Sequence, residues 1–428
     1  MTQIHSSFYR ALTPPVVSGV NLFFDRVGLV GWENIPKDKP VILVANHQNA
    51  MMDPVVCCVF ISQQLHWLTR ADLFKNPRVN KILRSINMLP VYRERDKVEN
   101  LIDVNQAIFE EVYDRLKLNA IVCVFPEGTH RGKKQLHVLK KGVVRMAGGA
   151  LTAGVKDVQI LPLGLDYEDY YNYRKSLTIV IGKPIPLEQY REGFNADPGR
   201  TQNTLLQEIR HALDAVMIDI QDDHMYPALD GMRALSNKAS NSNSLEKQFW
   251  FYHALCARTR HEKVFAEHVK DLGGEYVDGM KALDIKEVDY EENYSYLNLL
   301  PLIVMAPFVL AGVIAFAPMY LFTEWLQKKL VKDPLFKNSI RVVTWLFLTP
   351  VWILIMFVVS WICSGFWLWA LSITASLCAC GMFALWWMPL WRKWKLQVKC
   401  IGYRNSKNKR FERWTKVRRQ LLDLITSK

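Results

Sequence analysis

Two long stretches of this 428-residue chain carry no charge, and they limit what the rest can be. Residues 297 to 323 (LNLLPLIVMAPFVLAGVIAFAPMYLFT) are long enough, at ~1.5 Å per residue, to cross a hydrocarbon layer of ~30 Å. Residues 342 to 391 are uncharged over 50 positions, about two spans, and Ser364 with Gly365 near the middle supplies the turn of a helical hairpin. One hydrophobic soluble core does not require uncharged runs of this length, so a membrane region of about three apolar segments is expected over 297–391. Trp386, Trp387, Trp391 and Trp394 gather where that region meets polar chain, as an aromatic belt at an interface does.

The charge is distributed to match. Of the net +13, the segment Arg392 to Lys428 contributes +11, with 13 Lys/Arg against Glu412 and Asp423, and the remaining 391 residues contribute only +2. A basic tail that directly follows an apolar stretch points to an anionic membrane surface rather than nucleic acid. Membrane lipids are therefore the expected partners, with no nucleic acid. The linker Glu324 to Arg341 is also basic, with five Lys/Arg and two acids, so linker and tail both read as cytosolic. Three simple crossings would put the N-terminal region opposite the tail. Pro301, Pro307 and Pro318 suggest instead a re-entrant or broken first segment that returns to its own side. The expected localisation is a multi-pass or re-entrant membrane protein whose N-terminal region faces the cytosol. The opening MTQIHSSFYR lacks a basic stretch ahead of an apolar core, so no cleaved signal peptide is expected. The eight cysteines show no zinc-site or extracellular spacing, which fits a reducing environment.

Ahead of the membrane region the pattern changes. Over residues 1–200, VILVAN, QLHWLT, AIVCVF and VQILPLGLDY read as short buried strands separated by helical patterns such as VENLIDVNQAIFEEVYDRLK. LTIVIGKPIP is a further strand ending in a Gly-Lys-Pro turn. The expected fold class is α/β, a mixed sheet flanked by helices. Residues 201–296 read as a helical extension interrupted by SNKASNSNS, residues 297–391 as the membrane region, and 392–428 as a basic cytosolic tail. FYRALTPPVVSGVNLFFDRVGLVGW is apolar but broken by Pro14, Pro15 and Gly19; it either lies on a membrane surface or covers the core.

Chemistry enters where VILVAN runs into His47, with Asp53 six residues later, at the exit of a strand where α/β sites usually form. Residues six apart on one regular helix are about 240° apart after a full turn, so they face different ways. His47 is therefore expected in a turn that Asn46 and Asn49 bend, and Asp53 on a following helix reaching back to Nδ1. An imidazole held so is a general base that can take a proton from a hydroxyl attacking a carbonyl, with no Ser or Cys nucleophile needed. Alone, the pair also fits a structural helix cap. A second strand exit, AIVCVF into Pro126-Glu127-Gly128-Thr129-His130-Arg131, adds a carboxylate and a glycine that admits a ligand close to backbone. Around it stand Arg131, Lys133, Lys134, Lys140 and Lys141, with Arg93 and Arg95 upstream, enough cations to hold a phosphate.

These blocks carry a resemblance. N-H-Q-N-A-M-M-D-P at 46 to 54, P-V-Y-R-E-R-D at 90 to 96, F-P-E-G-T-H at 125 to 130 and I-L-P-L-G-L-D-Y at 160 to 167 resemble, in order and spacing, the four blocks of the phospholipid/glycerol acyltransferase family. The resemblance covers roughly residues 20 to 190. It implies that His47 is the general base and Asp53 its orienting partner. It also implies that Arg93, Glu127 and Gly128, with Thr129 and Arg131 beside them, bind the glycerol-phosphate acceptor, that Lys140 lies near the acceptor phosphate, and that Pro162 forms part of a substrate wall. The implied donor is acyl-CoA or an acyl carrier protein thioester, with no cofactor and no metal.

This chain departs from the common pattern in placing five residues, not four, between His47 and Asp53, in the Pro-Val-Tyr-Arg of its second block, and in having His130 where Arg is common. The longer spacing resembles the fungal glycerol-3-phosphate/dihydroxyacetone-phosphate acyltransferase branch and tilts the acceptor toward glycerol-3-phosphate over its 1-acyl form. A different lyso-lipid acceptor, or a non-catalytic lipid-binding scaffold, is the alternative. Membrane segments suit the reaction, because exposing a long acyl product to water costs ~0.8 kcal/mol per CH₂.

Overall fold

VILVA and IVCV lack polar alternation because each is a central strand covered on both faces. The computed structural model describes residues 6–93, 96–291, 299–331 and 333–427, so Arg95, and Leu297 and Asn298 of the first apolar run, lie outside the described residues. The chain divides into two compact units, Met1–Gln221 with Ser244–Phe249, and Asp222–Asn243 with Trp250–Lys428.

In the first unit the strands are β1 Arg26–Val30, β2 Val41–Ala45, β3 Leu65–Arg70, β4 Met88–Val91, β5 Ile121–Val124, β6 Gln159–Tyr167, β7 Ser176–Ile181 and β8 Ile185–Pro186. They form an eight-stranded sheet in the order β1-β7-β6-β2-β5-β3-β4, with β8 beside β6. β6, β2, β5, β3 and β4 run parallel, whereas β7 and β8 pair antiparallel to β6, so the sheet is mixed as expected. The five parallel strands therefore release their carboxyl ends at one edge. β1 and β4, which the pattern did not mark, are the two outer strands. β4 tolerates Pro90 because an edge strand has no ladder bond to lose on its free side.

Helices α1 Ser7–Phe23, α2 Met52–Phe60, α3 Pro77–Ser85, α4 Leu101–Leu116, α5 Gly142–Thr152, α6 Arg191–Ala196 and α7 Pro198–Asp214 accompany the sheet. Contrary to expectation, α1 is not broken at Pro14 and Pro15. The prolines remove donors to the carbonyls of Arg10 and Ala11, both exposed residues, while Tyr9, Val20 and Phe23 are buried and the helix packs on α2. On α7, Leu205, Ile209 and Leu213 enter the same core as Val144 and Ala147 of α5 and Ile42 of β2. The first unit thus continues past residue 200 to Gln221.

The second unit comprises α8 Tyr226–Gly231, α9 Arg233–Ala239, most of α10 Leu245–His261, α11 Lys263–Leu283, α12 Leu299–Leu330, α13 Phe336–Ser364, α14 Trp367–Asn405 and α15 Lys409–Thr426. α12, α13 and α14 are long and apolar enough to cross a membrane, with mean hydropathies of 2.6, 2.5 and 1.8 over their most apolar windows. Their apolar side chains face outward, which suits a lipid solvent. Gly365, at φ 68, ends α13 in the left-handed region and makes the expected hairpin turn with Ser364.

α12 is continuous, so the expectation of a broken first segment is corrected. Pro307 and Pro318 remove donors to the carbonyls of Ile303 and Ile314, and neighbouring helices bring replacements close by. Trp387 Nε1 donates to Leu302 O and Trp352 Nε1 to Ala315 O, both at 3.0 Å. Nor is the tail free, because α14 runs on past Trp391 to Asn405 and α15 packs on α11.

The chain just ahead of α12 is tied to the chain beyond α14. Lys399 Nζ meets Asp284 Oδ2 at 2.8 Å, Gln397 donates to Asp289 O, and the buried Arg418 of α15 pairs with the buried Glu287 at 2.8 Å. Glu287 also accepts from Lys238 and Tyr276 at 2.9 Å. In a bilayer, segments held together in this way are expected on one side, which three complete crossings between them would not permit. Reporters fused to the N-terminus and the C-terminus are expected on the same membrane face; opposite faces would show that this packing does not persist in the membrane.

Candidate active site

The site begins where β2 ends. Asn46 is buried, and its amide continues the β2–β6 pairing beyond the last strand residue: Nδ2 donates to Leu165 O at 3.0 Å and Oδ1 accepts from Leu165 N at 2.7 Å. With that pairing made by a side chain, the backbone is free to turn. It passes through Ala50 at φ 45 into α2, whose first turn carries Asp53.

Asp53 is wholly buried and accepts four hydrogen bonds. Oδ2 takes His47 Nδ1 at 2.8 Å, Gln48 N at 2.9 Å and Asn49 N at 2.8 Å; Oδ1 takes the Tyr167 hydroxyl at 2.7 Å. These donors, with the positive end of α2, offset the cost of burying a carboxylate. The expected geometry is found: His47 in the turn, Asp53 reaching back from a helix. The contact assigns the Nδ1 proton toward Asp53 and leaves Nε2 as the basic nitrogen. The His47 side chain is 17% exposed. It stacks on Phe125 with ring centroids 4.3 Å apart, Phe125 stacks on Trp67, and the His130 ring stands edge-on at 5.4 Å. Stacking on one side and hydrogen bonding on the other hold the imidazole in one orientation.

Glu127 lies beside it in a different way from that implied by the family pattern. Its Oε1 accepts from the His47 backbone N at 2.7 Å and its Oε2 from His137 N at 3.2 Å, so both oxygens hold protein backbone. Burial pushes its carboxyl up to about 7, against the pull of those two N–H groups. Gly128, at φ 67, is exposed in the left-handed region that a β-carbon disfavours, and its N–H closes the turn on Phe125 O. The following loop is laced to the site by backbone, with Arg131 N to His47 O at 3.3 Å and Lys140 N to Pro126 O at 2.8 Å. The side chains of Arg131 and Lys140 are exposed, and Thr129 is half-buried.

Arg93 follows β4 at the same sheet edge, three strands from β2. Its guanidinium lies 3.2 Å from Asp96 and 3.7 Å from Asp72, and among the described residues no hydrogen bond or ion pair joins it to the His47 cluster. Pro162 is enclosed within β6, its carbonyl accepting from Gly182 N. Lys134 is buried, with its ammonium 5.1 Å from the Tyr170 ring, and the Tyr170 hydroxyl donates to Gln48 Oε1 at 2.7 Å. Tyr170 was not singled out from sequence, and Tyr167 entered only as the last residue of the fourth block, with no role of its own. Tyr167 reaches Asp53 across 114 positions only because β6 lies against β2.

Residues 26–166 match the family model described as Acyltransferase. The match takes in β1 to β6 almost entirely, and with them His47, Asp53, Arg93 and the Glu127–Arg131 turn. Glycerol-3-phosphate O-acyltransferase 2 of Saccharomyces cerevisiae is 30% identical over 133 residues, covering 31% of this chain and 18% of that protein. Glycerol-3-phosphate O-acyltransferase 1 of the same yeast is 21% identical over 259 residues, 55% of this chain and 33% of that protein. The 1-acyl-sn-glycerol-3-phosphate acyltransferase LPAT1, chloroplastic, of Arabidopsis thaliana is 25% identical over 170 residues, 38% of this chain and 44% of that protein. The chain thus spans less than half the length of each of these relatives.

The environment of Glu127 has a measurable consequence. In the folded protein it takes up a proton near pH 7, and when unfolded near the ordinary glutamate value of 4.5. Between those limits the folded state binds more protons, so its stability falls as pH rises from about 4.5 to 7, by about 3 kcal/mol in all. Glu127→Gln is expected to flatten this slope in denaturant titrations at several pH values. A slope that persists in the variant would assign it to another group.

Proposed function

We propose that this chain is an acyltransferase that moves a fatty acyl group from an acyl thioester, of coenzyme A or acyl carrier protein, to a hydroxyl of glycerol-3-phosphate or 1-acyl-glycerol-3-phosphate. The observation that carries this reading is the 2.8 Å contact between His47 Nδ1 and a buried Asp53. Nε2 removes the acceptor's hydroxyl proton as its oxygen attacks the thioester carbonyl. The tetrahedral adduct then collapses, the carbon–sulfur bond breaks, and the imidazolium returns its proton to the departing thiolate. Asp53 holds the tautomer and stabilises the transient imidazolium, a role worth about 10²–10⁴ in rate for a positioned base. The step calls on no cofactor or metal.

Glycerol-3-phosphate is the acceptor we favour. The two yeast relatives are named for it, and the five-residue spacing between His47 and Asp53 resembles that branch. The family resemblance points to Arg93 for the acceptor's phosphate, which would have to replace Asp96 or Asp72 on the guanidinium. The apolar helices support a membrane location, and the basic linker and tail favour the cytosolic face for the catalytic unit.

Membranes holding the protein, given labelled acyl-CoA or acyl carrier protein and a panel of acceptors, test the assignment. Transfer to glycerol-3-phosphate is expected to exceed transfer to 1-acyl-glycerol-3-phosphate and other lyso-lipids, and no transfer to any acceptor would favour a lipid-binding scaffold. His47→Ala is expected to abolish turnover while the protein stays folded; retained turnover would remove His47 as the base. Arg93→Ala is expected to raise acceptor KM with a smaller change in kcat, and an unchanged KM would move phosphate recognition to Arg131 or Lys140.

A further inference from the structure

The two oxygens of Asp53 have different neighbours. Oδ2 receives His47 Nδ1 and two backbone N–H groups, whereas Oδ1 receives the Tyr167 hydroxyl. Tyr167 is the last residue of β6 and fully buried between the rings of Phe24 and Tyr170, at centroid distances of 6.1 and 5.8 Å. A phenylalanine would fill that space equally well, so packing does not explain the hydroxyl. Asn46 adds to its precision by pairing with both backbone groups of Leu165, two residues before it.

We infer that Tyr167 is a positioning residue that sets how strongly Asp53 holds protonated His47, and thereby the pH at which Nε2 becomes available. The inference rests on the reading of His47 as base. A carboxylate shares its charge between two oxygens, and a donor on one draws charge away from the other. Without the phenol, more charge stays on Oδ2, 2.8 Å from the imidazole, and the imidazolium is favoured. The other titratable or charged groups around this pair are Glu127 and Arg131, which meet the His47 backbone, His130 at 5.4 Å, and Cys57 and Tyr170 beside Tyr167. Among the described hydrogen bonds, Oδ1 has Tyr167 as its donor and none of those five. Burial holds the Tyr167 phenol well above its ordinary range, so it remains a donor at working pH.

The test is Tyr167→Phe in the full-length protein, read in two ways: the acid limb of the transfer rate against pH, and the His47 ring titration by NMR of histidine-labelled protein, with His47→Gln identifying the signal. Both midpoints are expected to rise by about half a pH unit, while acceptor KM is unchanged and kcat falls about three- to tenfold. 3-Fluorotyrosine at position 167, a stronger donor of nearly the same size, is expected to lower the ring midpoint, and it serves if the phenylalanine variant does not fold. An unmoved midpoint in folded Tyr167→Phe, or a shift of the same sign in both variants, overturns the inference. Opposite midpoint shifts in a protein that transfers to no acceptor would support the coupling and sink the acyl-transfer reading instead.

Discussion

A carboxylate placed where no water reaches must find its hydrogen bonds within the protein, and the arrangement around Asp53 follows from that need. Four donors converge on it from three sources: the imidazole of His47, the turn after β2, and the end of β6. Each donor is fixed in turn. Asn46 pins the turn to β6, Glu127 holds the His47 backbone, and Phe125 supports the imidazole face. Remove the carboxylate and the turn loses its anchor, the ring its orientation and the Tyr167 hydroxyl its acceptor. Catalytic geometry and local stability are here one network.

That network sits at a sheet edge because five strands run parallel. Parallel strands buried on both faces carry mostly apolar side chains along their length, so polar chemistry gathers at their ends. β2 delivers His47, β5 delivers Glu127 and Gly128, and β6 delivers Tyr167, while β4 brings Arg93 to the same edge. Glu127, read from sequence as a ligand for the acceptor, is instead engaged by backbone on both oxygens. In this structure it holds the His47 backbone and that of His137.

In the second unit, another buried carboxylate plays a corresponding part. Glu287, met by Arg418, Lys238 and Tyr276, joins the chain ahead of the apolar helices to the chain beyond them. A basic tail that composition alone would leave solvated thus contributes a buried arginine. The prolines of α12 bend the expectation in the opposite direction, because indole N–H groups of neighbouring helices lie close to the carbonyls left open.

What could be read along the chain was whatever depends on neighbours in sequence. Uncharged runs gave the apolar helices, unbroken apolar stretches gave β2, β3, β5 and β6, and a six-residue offset required a turn between His47 and Asp53, as observed. β1 and β4 escaped notice because outer strands are short and only partly buried, so their pattern is weak. The contacts of Tyr167 and Tyr170 escaped for a different reason: the partners are 114 and 122 positions away, and no local periodicity encodes a contact of that range. The same holds for the backbone engagement of Glu127 and for the tie between Glu287 and Arg418. Sequence by itself determined which residues could do chemistry and which segments would seek lipid, since both follow from side-chain identity and local spacing. Only the tertiary structure decided which donors complete the Asp53 carboxylate and how the two ends of the apolar region are tied together, because both depend on strands and helices far apart in the chain being brought into register.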